Sequence, residues 1–413
     1  MKKKIFVVGP CLSQSGYGQQ TRFALKALRS REDLFDVYIQ PIPWGKTGWI
    51  WHESEFREWI DQRIVATQIL LQQKQLQPDI SLQITIPNEW KKIAPINIGY
   101  TAGIETTKVS PQWLPKGNDM DKILVVSTHA KTTYENTVAM ATNQQTGEEF
   151  PYKLETPIEV VHELTDQAEP EPINLELDYD FNFLTLSQWS PRKNFENTIM
   201  WWVEEFIDQE VGLIVKTNLM NNSIRDRGHT SVRIKNLLSK YPDRKCKVYL
   251  LHGDLTDGQM TSLYRNEKVK SLINLAHGEG FGLPMFEAAR EALPIVTCGW
   301  SGHMDFLHHN GKNMFQEVDY TLQPIQQEAI WPGVIEGDSM WAFADQGSYK
   351  MTLRDTHKNW DKAKAMAEEL KVLVDEKFNE EILFAGFCDS VCGEKIDIDS
   401  WIKELEEGLI EQE

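Results

Sequence analysis

The chain contains 413 residues, of which 41% are hydrophobic and 25% are charged, and this composition excludes a disordered chain and predicts about two globular domains. The net charge of −18 makes nucleic acid an unfavourable partner, because an acidic surface repels phosphate backbones. No segment approaches the roughly 20 consecutive apolar residues that span a bilayer, so we expect no integral membrane segment. The scattered cysteines fit a reduced, cytoplasmic protein best.

Five cysteines are scattered along the chain and lack the paired spacing of a zinc site. Cys388 and Cys392 lie four residues apart and could share a helix face. Two thiols without further ligands favour packing over metal binding. We therefore expect reduced thiols and no bound metal.

The chain opens with an apolar strand at 5–8, a glycine-containing loop at 9–18 and a helix at 21–28. This order is typical of the first unit of a parallel α/β sheet. Further apolar strands and a helical stretch follow, at 37–39, 80–86, 96–100 and 123–126 for the strands and at 55–73 for the helix. Together they predict a doubly wound, Rossmann-like N-terminal domain.

Residues 166–174 contain two prolines and three acidic residues without apolar periodicity, which indicates a connection between domains. We place the boundary near 172, which gives domains at 1–172 and 173–395 and a C-terminal helix with an acidic tail at 396–413. In the second domain, strands alternate with helices, at 181–186, 212–216, 248–251, 271–274 and 294–297 for the strands and at 194–207, 231–241, 257–264 and 284–291 for the helices. This alternation predicts a second Rossmann-like domain.

The sharpest local pattern is the segment 277–289, which reads His-Gly-Glu-Gly-Phe-Gly-Leu-Pro-Met-Phe-Glu-Ala-Ala. Its glycines allow a tight turn with outward-facing amides, and free amides at the start of a helix bind anions. Glu279 lies on the loop and Glu287 about one turn into the helix, so both can face a cleft at the carboxyl ends of the strands. Taken alone, the pattern fits a ligand-binding loop and a structural turn equally well.

The stretch from Glu279 to Glu287 has seven residues between its two acids and is followed by Leu-Pro-Ile-Val at 293–296 and Gly-Trp-Ser-Gly at 299–302. It resembles the E-x7-E region of the retaining glycosyltransferases of family 4. The resemblance implies an α/β protein of the GT-B fold, in which two Rossmann-like, doubly wound parallel-sheet domains face a cleft. It also implies transfer of a sugar from a UDP- or GDP-linked donor to a hydroxyl of a carbohydrate-type acceptor, with no further cofactor.

The same resemblance implies roles for single residues. The catalytic Glu279 lies near the transferred sugar, and Glu287 holds the ribose hydroxyls. The loop residues expected to contact the sugar and the diphosphate are Gly280, Phe281, Gly282 and Leu283. No carboxylate is placed as a covalent nucleophile, so we expect same-face attack, with the leaving diphosphate helping to take the acceptor proton and with no metal ion.

A second matching segment, at 184–194, reads Leu-Thr-Leu-Ser-Gln-Trp-Ser-Pro-Arg-Lys-Asn. It resembles the family motif in which an Arg and, five residues later, a Lys neutralise the donor diphosphate. Lys193 keeps the lysine position, but Gln188 stands where the Arg is expected. Arg192 would then have to supply the second charge, which stabilises the departing diphosphate. The alternative is a surface Arg-Lys pair at the start of a helix.

Two weaker donor-side signals complete this set. Gly16 and Gly18 follow the first strand, and in the family such a loop meets the donor phosphates across the cleft. The loop lacks the Gly-x-Gly-x-x-Gly spacing of a nicotinamide-binding fold, which argues against a dehydrogenase. His252 ends a strand at the place where related proteins cradle the base, although a structural histidine is the favoured interpretation.

The first domain supplies candidates for the acceptor side. Glu105 sits at a predicted strand end, where it would orient or deprotonate the acceptor hydroxyl or, equally well, cap a helix or form a structural salt bridge. His162 occupies the end of the domain and is a candidate hinge residue. Four tryptophans surround a polar segment and would either stack on sugar faces or, as the favoured alternative, pack in the protein, namely Trp44, Trp49, Trp51 and Trp59.

Three alternatives to transfer remain open from the sequence. The first is a catalytically silent nucleotide-sugar or glycan-binding protein of the same fold. The second is an epimerase or phosphorylase that shares the architecture. The third is a DNA-base glycosylating enzyme, against which the net charge of −18 counts.

Overall fold

The computed structural model describes residues 2–50 and 53–393. In its first part, strands and helices alternate, as β1 (Lys3–Gly9), α1 (Gly16–Ser30), β2 (Phe35–Pro41), α2 (Glu55–Gln72), β3 (Ile80–Ile84), β4 (Ile96–Thr101), α3 (Trp113–Asn118), β5 (Lys122–Val125), α4 (Thr128–Asn136), β6 (Val138–Thr142), β7 (Glu149–Lys153) and β8 (Ile158–Val160). Six of these strands form a parallel sheet in the order β2-β1-β3-β4-β5-β8. Strand β3 is buried along its whole length, as expected for a parallel sheet covered on both faces.

The second part repeats this pattern, with β9 (Asn182–Gln188), α5 (Phe195–Phe206), β10 (Gly212–Asn218), α6 (Ile224–Leu238), β11 (Lys247–Leu251), α7 (Asp257–Arg265), β12 (Val269–Asn274), α8 (Leu283–Arg290), β13 (Ile295–Cys298), α9 (Met304–Leu307), β14 (His308–His309), β15 (Lys312–Asn313), β16 (Gln316–Val318), β17 (Tyr320–Pro324), β18 (Met340–Ala344), α10 (Gln346–Lys358), α11 (Trp360–Lys377) and α12 (Glu380–Cys392). A second parallel sheet has the order β11-β10-β9-β12-β13-β16. The prediction of two Rossmann-like domains is therefore confirmed.

Helix α12 returns from the second sheet to the first. The Phe387 ring lies 5.7 Å from the rings of Phe23 and Tyr100, measured between centroids. The thiol of Cys388 donates to the carbonyl oxygen of Ala27, with a distance of 3.2 Å. The helix thus connects the two halves, although it falls inside the predicted range 173–395. The domain boundaries themselves stay predictions, and the predicted tail at 396–413 lies outside the described residues.

A second connection comes from the hairpin β17–β18, whose connecting loop, residues 325–339, we term the arm. Trp113 of the first part donates its indole N–H to the carbonyl of Gly333 at 3.0 Å. Val334 is buried in the apolar cluster that also contains Trp113 and Tyr134. Beside the arm, the amide of Thr107 donates to the carbonyl of Met340 at 2.9 Å. The arm therefore inserts into the core of the opposite domain.

Candidate functional site

The segment 278–282, here termed the glycine-rich loop, joins β12 to α8. Gly282 precedes the helix with φ of 96°, a backbone region that favours glycine. The amide of Glu279 donates to the Ser301 hydroxyl at 2.9 Å, and the amide of Gly302 donates to the carbonyl of Glu279 at 2.9 Å. A Cβ atom on Gly302 would lie 1.8 Å from the carbonyl oxygen of Gly280. The neighbouring loop thus fixes the glycine-rich loop by contacts that only glycine permits.

The Glu279 carboxylate is buried and surrounded by donors. Lys193 Nζ lies 2.5 Å from its Oε1, Arg192 Nη1 lies 3.1 Å from its Oε2, and Asn274 Nδ2 donates to Oε1 at 3.1 Å. Burial by itself would raise the pKa of Glu279, but the two cations and these hydrogen bonds lower it to about 2. Glu279 is therefore ionised at neutral pH.

Arg192 links this carboxylate to the first domain. Its Nη2 lies 3.2 Å from Glu105 Oε1, and its Nη1 donates to the carbonyl of Gly278 at 2.7 Å. We term the resulting group of Glu105, Arg192, Lys193 and Glu279 the ion cluster. Its two cations and two carboxylates balance, so the cluster carries no formal net charge. In this structure Glu105 therefore forms a salt bridge, which is one of the roles considered for it from the sequence.

The first domain covers the glycine-rich loop. A Cβ atom on Gly278 would lie 2.1 Å from the carbonyl oxygen of Glu105, and one on Gly280 would lie 2.5 Å from that of Ala102. The segment 102–105, which follows β4, therefore packs directly on the loop, and all five loop residues are buried. A ligand reaches these amides only if the two segments separate.

A cleft of about 860 Å³ lies beside this contact, lined by residues of both domains. Gly16 contributes from the first domain, and Lys216, Leu283 and Glu287 contribute from the second. Glu287 accepts a hydrogen bond from the Tyr264 hydroxyl at 2.8 Å. Burial raises the pKa of Glu287 to about 7, despite that hydrogen bond. A carboxyl group that titrates near neutrality thus faces the cleft.

The predicted donor-side residues separate into two groups. Gly16, Leu283 and Glu287 line the cleft, whereas the lining does not include Glu279, Arg192 and Lys193. The sequence interpretation placed Glu279 and Glu287 in one cleft, and the structure brings only the second of them to its wall. Phe281 directs its ring into an aromatic core, 5.2 Å from the centroid of Phe286 and 5.2 Å from that of Phe306.

The two predicted glycines of the first loop have different surroundings. A Cβ atom on Gly16 would meet no other atom within 4 Å, so this position is open to the cleft that it lines. A Cβ atom on Gly18 would lie 2.0 Å from the carbonyl oxygen of Ser13. Gly18 therefore permits the tight packing of its own loop, and the Ser15 side chain caps helix α1 by accepting from the Gly18 amide.

A smaller polar slot of about 230 Å³ opens at the ends of β9 and β10. Gln188 lines it and donates from Nε2 to the carbonyl of Leu219 at 3.1 Å. Lys216, Asn218 and Asp254 contribute further polar groups. Sequence reasoning missed Lys216, although its place at the end of a predicted parallel strand is the signal that marks ligand-binding edges.

The predicted base-side residue His252 is buried. Its Nε2 lies 2.9 Å from Asp226 Oδ1, and its side chain is 2% exposed. Asp226 also accepts from the amides of Leu219 and Met220, at 3.0 and 2.8 Å. Although partial burial opposes it, the His252 hydrogen bond and these amides lower the pKa of Asp226 to about 2. The imidazole thus supports the loop beside the slot and does not present itself to a ligand.

His162, the candidate hinge residue, lies between the domains. Its Nε2 is 2.8 Å from Asp305 Oδ2, and the same carboxylate accepts from the amide of Thr128 at 2.7 Å. His129 and Trp300 make a further contact nearby, with ring centroids 4.9 Å apart. The first domain is therefore tied to helix α9 through Asp305 and to the loop after β13 through Trp300.

Two of the predicted sugar-stacking tryptophans, Trp44 and Trp59, pack against other rings of the protein. Trp44 lies 4.4 Å from the ring of Tyr17, and Trp59 stacks on Phe56 with centroids 5.9 Å apart. Trp49 is 54% exposed, and Trp51 lies outside the described residues. Packing explains Trp44 and Trp59, and the available stacking surface within the described residues is Trp49.

The structure describes residues 2–50 and 53–393, and the following absences refer to these ranges. No group of three or more His, Cys, Asp or Glu side chains in these ranges could hold a metal ion. No helix in these ranges combines the length and the hydropathy needed to cross a bilayer. Each of the five cysteines lies in these ranges, and no disulfide bond joins any two of them.

No protein-family model and no curated protein matches the sequence. Among solved structures, the chain is similar to a sucrose-phosphate synthase from Thermosynechococcus elongatus, with a TM-score of 0.61 and 12% identity over 100% of both chains. It is also similar to Anabaena HepE in complex with UDP and glucose, with a TM-score of 0.59 and 12% identity over 95% of this chain and 100% of that one. For the lipopolysaccharide outer core galactosyltransferase WaaB, the TM-score is 0.52 at 12% identity, over 95% and 99% of the two chains. The chain therefore has the GT-B fold of these glycosyltransferases.

Proposed function

We propose that this chain is a retaining glycosyltransferase of the family 4 type, which transfers a sugar from a UDP- or GDP-linked donor to a hydroxyl of a glycan or glycoconjugate. One observation carries the proposal. The cleft of about 860 Å³ between two Rossmann-like domains is lined by Gly16 on one side and by Leu283 and Glu287 on the other. The sequence motifs predict that residues at these positions contact the donor nucleotide.

The donor is held by groups from both domains. Glu287 has one oxygen engaged by Tyr264, and a carboxylate retains acceptor capacity for the ribose hydroxyls. Gly16 has no neighbouring atom where a side chain would stand, so a phosphate can approach the backbone closely. HepE, a protein of the same fold, is in complex with UDP and glucose, which supports a nucleoside diphosphate as the leaving group.

The ion cluster supplies the charges for the reaction once the domains separate. Donor phosphates would compete with Glu279 and Glu105 for Lys193 and Arg192, because the leaving diphosphate gains negative charge as the bond to the sugar breaks. In this same-face reaction the acceptor oxygen bonds to the anomeric carbon as the diphosphate leaves, and the diphosphate takes the acceptor proton. Released from Arg192, Glu105 would orient the acceptor hydroxyl or assist its deprotonation.

The test is turnover with UDP-, GDP- and ADP-linked hexoses and simple glycan acceptors, with nucleoside diphosphate release measured and the product anomer assigned by NMR. We expect release with one donor and an unchanged anomeric configuration. Lys193→Ala and Glu287→Ala should each remove at least 90% of this activity, because each deletes a donor-binding group.

The matched control is Glu196→Ala, which removes an exposed carboxylate that pairs with Arg233 at the surface. It should retain wild-type turnover, and circular dichroism should show that all three variants fold. Normal turnover of both site variants contradicts the site assignment. Loss of wild-type activity on adding a chelator, with restoration by manganese, contradicts the metal-free mechanism.

A second candidate function is supported by the ion cluster, in which the charges of the two cations and two carboxylates cancel. Lys193 and Arg192 are fully paired, and the glycine-rich loop is covered by the first domain. This arrangement also suits a catalytically silent nucleotide-sugar or glycan-binding protein. Such a protein would gain thermal stability with added nucleotide sugar but would neither transfer nor hydrolyse it with any acceptor tested.

A further inference from the structure

The donor diphosphate requires positive charge that the predicted residues do not present to the cleft. Position 188 holds a neutral amide, which donates to the Leu219 carbonyl. Arg192 and Lys193 are neutralised by Glu105 and Glu279 and do not belong to the lining of the cleft. A nucleoside diphosphate sugar carries about two negative charges at neutral pH, and an anion in a partly buried site needs a cation.

Lys216, unlike Arg192 and Lys193, lines the cleft. It lines both the cleft of about 860 Å³ and the polar slot of about 230 Å³, so it stands where the two spaces meet. Its Nζ donates to the carbonyl of Gly253 at 3.2 Å. Within residues 2–50 and 53–393 it forms no ion pair within 4.0 Å, in contrast to Lys193 and to Lys26 on the opposite wall.

The sheet places Lys216 on the same side as the substituted position. Gln188 pairs with Asn218 in the register between β9 and β10. Lys216 lies two residues before Asn218, so all three side chains point to the same face of the sheet. A cation on β10 can therefore reach the region that a longer cationic side chain at position 188 would serve.

The surroundings of Lys216 favour an anionic ligand over a purely structural role. Burial lowers the pKa of Lys216, while the carboxylates of Asp254 and Glu287 act in the opposite direction. Those acids lie beyond ion-pair distance. Among the described residues, the hydrogen-bond partner of the ammonium group is the Gly253 carbonyl, which replaces part of the water lost on burial. A phosphate at the junction of the two spaces would supply the missing charge.

We propose that Lys216 binds the diphosphate of the donor in this chain together with the cations of the ion cluster, and that it takes the place of the cation absent at position 188. The inference rests on the proposed function and assigns a residue that the sequence motifs do not mark. The nucleoside would then lie along the cleft toward Glu287, with its phosphates directed toward the slot.

The experiment is calorimetric titration of the full chain with UDP, GDP, uridine and guanosine. Lys216→Gln keeps a hydrogen-bond donor for the Gly253 carbonyl and removes the charge. We expect it to weaken binding of the preferred nucleoside diphosphate about tenfold to hundredfold, the range for loss of a charge-assisted hydrogen bond. Affinity for the corresponding uncharged nucleoside should stay within about twofold, and Lys216→Arg should restore most of the diphosphate affinity.

The matched control is Lys247→Gln, which removes a lysine at the start of the neighbouring strand β11, where it pairs with Asp178. It should bind as the wild type does. Equal diphosphate affinity in Lys216→Gln and wild type overturns the inference, as does an equal loss of nucleoside and diphosphate binding, which indicates a structural role. If Lys216→Gln does not fold, Lys216→Met is compared by the same criteria. A wild type that binds none of the four ligands rejects the proposed function and this inference together.

Discussion

Glu279 and Glu287 belong to one motif, yet their surroundings shift their pKa values in opposite directions. Both are removed from water, which by itself raises the pKa of a carboxyl group. Lys193 and Arg192 override this effect at Glu279 and lower its pKa to about 2. Glu287 accepts a hydrogen bond from the Tyr264 hydroxyl, but burial raises its pKa to about 7. Glu279 is thus a permanent anion, and Glu287 responds to pH in the physiological range.

The first prediction concerns the pH dependence of nucleoside binding. Ribose hydroxyls donate to a carboxylate better than to a carboxylic acid, so affinity for the preferred nucleoside should fall about tenfold as the pH drops from 8 to 6. Calorimetry at both values measures this change. In Glu287→Gln the affinity should be low at both values, and an unchanged slope in that variant contradicts the role of Glu287.

The same residue gives a check on folding stability. The folded-state pKa of about 7 exceeds the ordinary value of 4.5, so the folded protein binds more protons than the unfolded chain between these values. Ionisation of Glu287 then destabilises the fold as pH rises from 4.5 to 7. Glu287→Gln should therefore gain in melting temperature relative to wild type as the pH rises through this window.

The sequence marked single candidate residues but not the partners that the structure gives them. The contact of Lys193 with Glu279 joins two segments that the sequence resemblance had already marked. The pairing of Arg192 with Glu105 connects loops of different domains, so it depends on how the domains pack. Lys216 was missed for a related reason. A single lysine at the end of a strand does not indicate a binding site in the sequence, and only the folded chain shows that it lines two cavities.

At the scale of elements, apolar runs predicted the buried strands well, since strands covered on both faces are apolar along their length. The start of α6 was predicted too late, at 231, although Ser223 caps the helix by accepting from the amide of Asp226. The hairpins β6–β7 and β17–β18 were not predicted. Strands β7 and β17 are largely exposed, and both hairpins pair antiparallel outside the two central sheets, so they lack the apolar signal of the central strands.

The arm is the unpredicted element with the clearest energetic consequence. Val334 is 7% exposed and belongs to a cluster with Trp113 and Tyr134 of the first domain. Val334→Asp should lower the free energy of unfolding by about 2–4 kcal/mol, because it buries an unpaired polar group in place of an apolar one. Urea unfolding measures this loss, and hydrogen exchange should become faster at 106–113.

Leu322→Asp is the matched control for this prediction. Leu322 lies on β17 of the same hairpin and is 41% exposed, so an aspartate there remains in water and should change stability by less than about 0.5 kcal/mol. Equal effects of the two substitutions would show that the arm does not hold the domains together.

At the scale of the whole molecule, several contacts hold the two domains together. Helix α12 packs on α1, the arm enters the first domain, and His162 pairs with Asp305. Segment 102–105 closes the glycine-rich loop with glycine-only contacts. The GT-B fold was predictable from the sequence, but this closure was not, because it depends on carbonyl positions in two distant loops.

The closed contact leads to a prediction about the rate of donor binding. A nucleotide sugar reaches the amides of the glycine-rich loop only after segment 102–105 moves away, so the observed rate should level off at high donor concentration instead of rising linearly. Stopped-flow tryptophan fluorescence measures this rate. Glu105→Gln removes the charge that attracts Arg192 across the domains, and we expect it to raise the plateau severalfold, while Glu55→Gln, which removes an exposed partner of Arg29, leaves it unchanged. A linear concentration dependence with the same slope in all three proteins would show that this contact does not control access to the site.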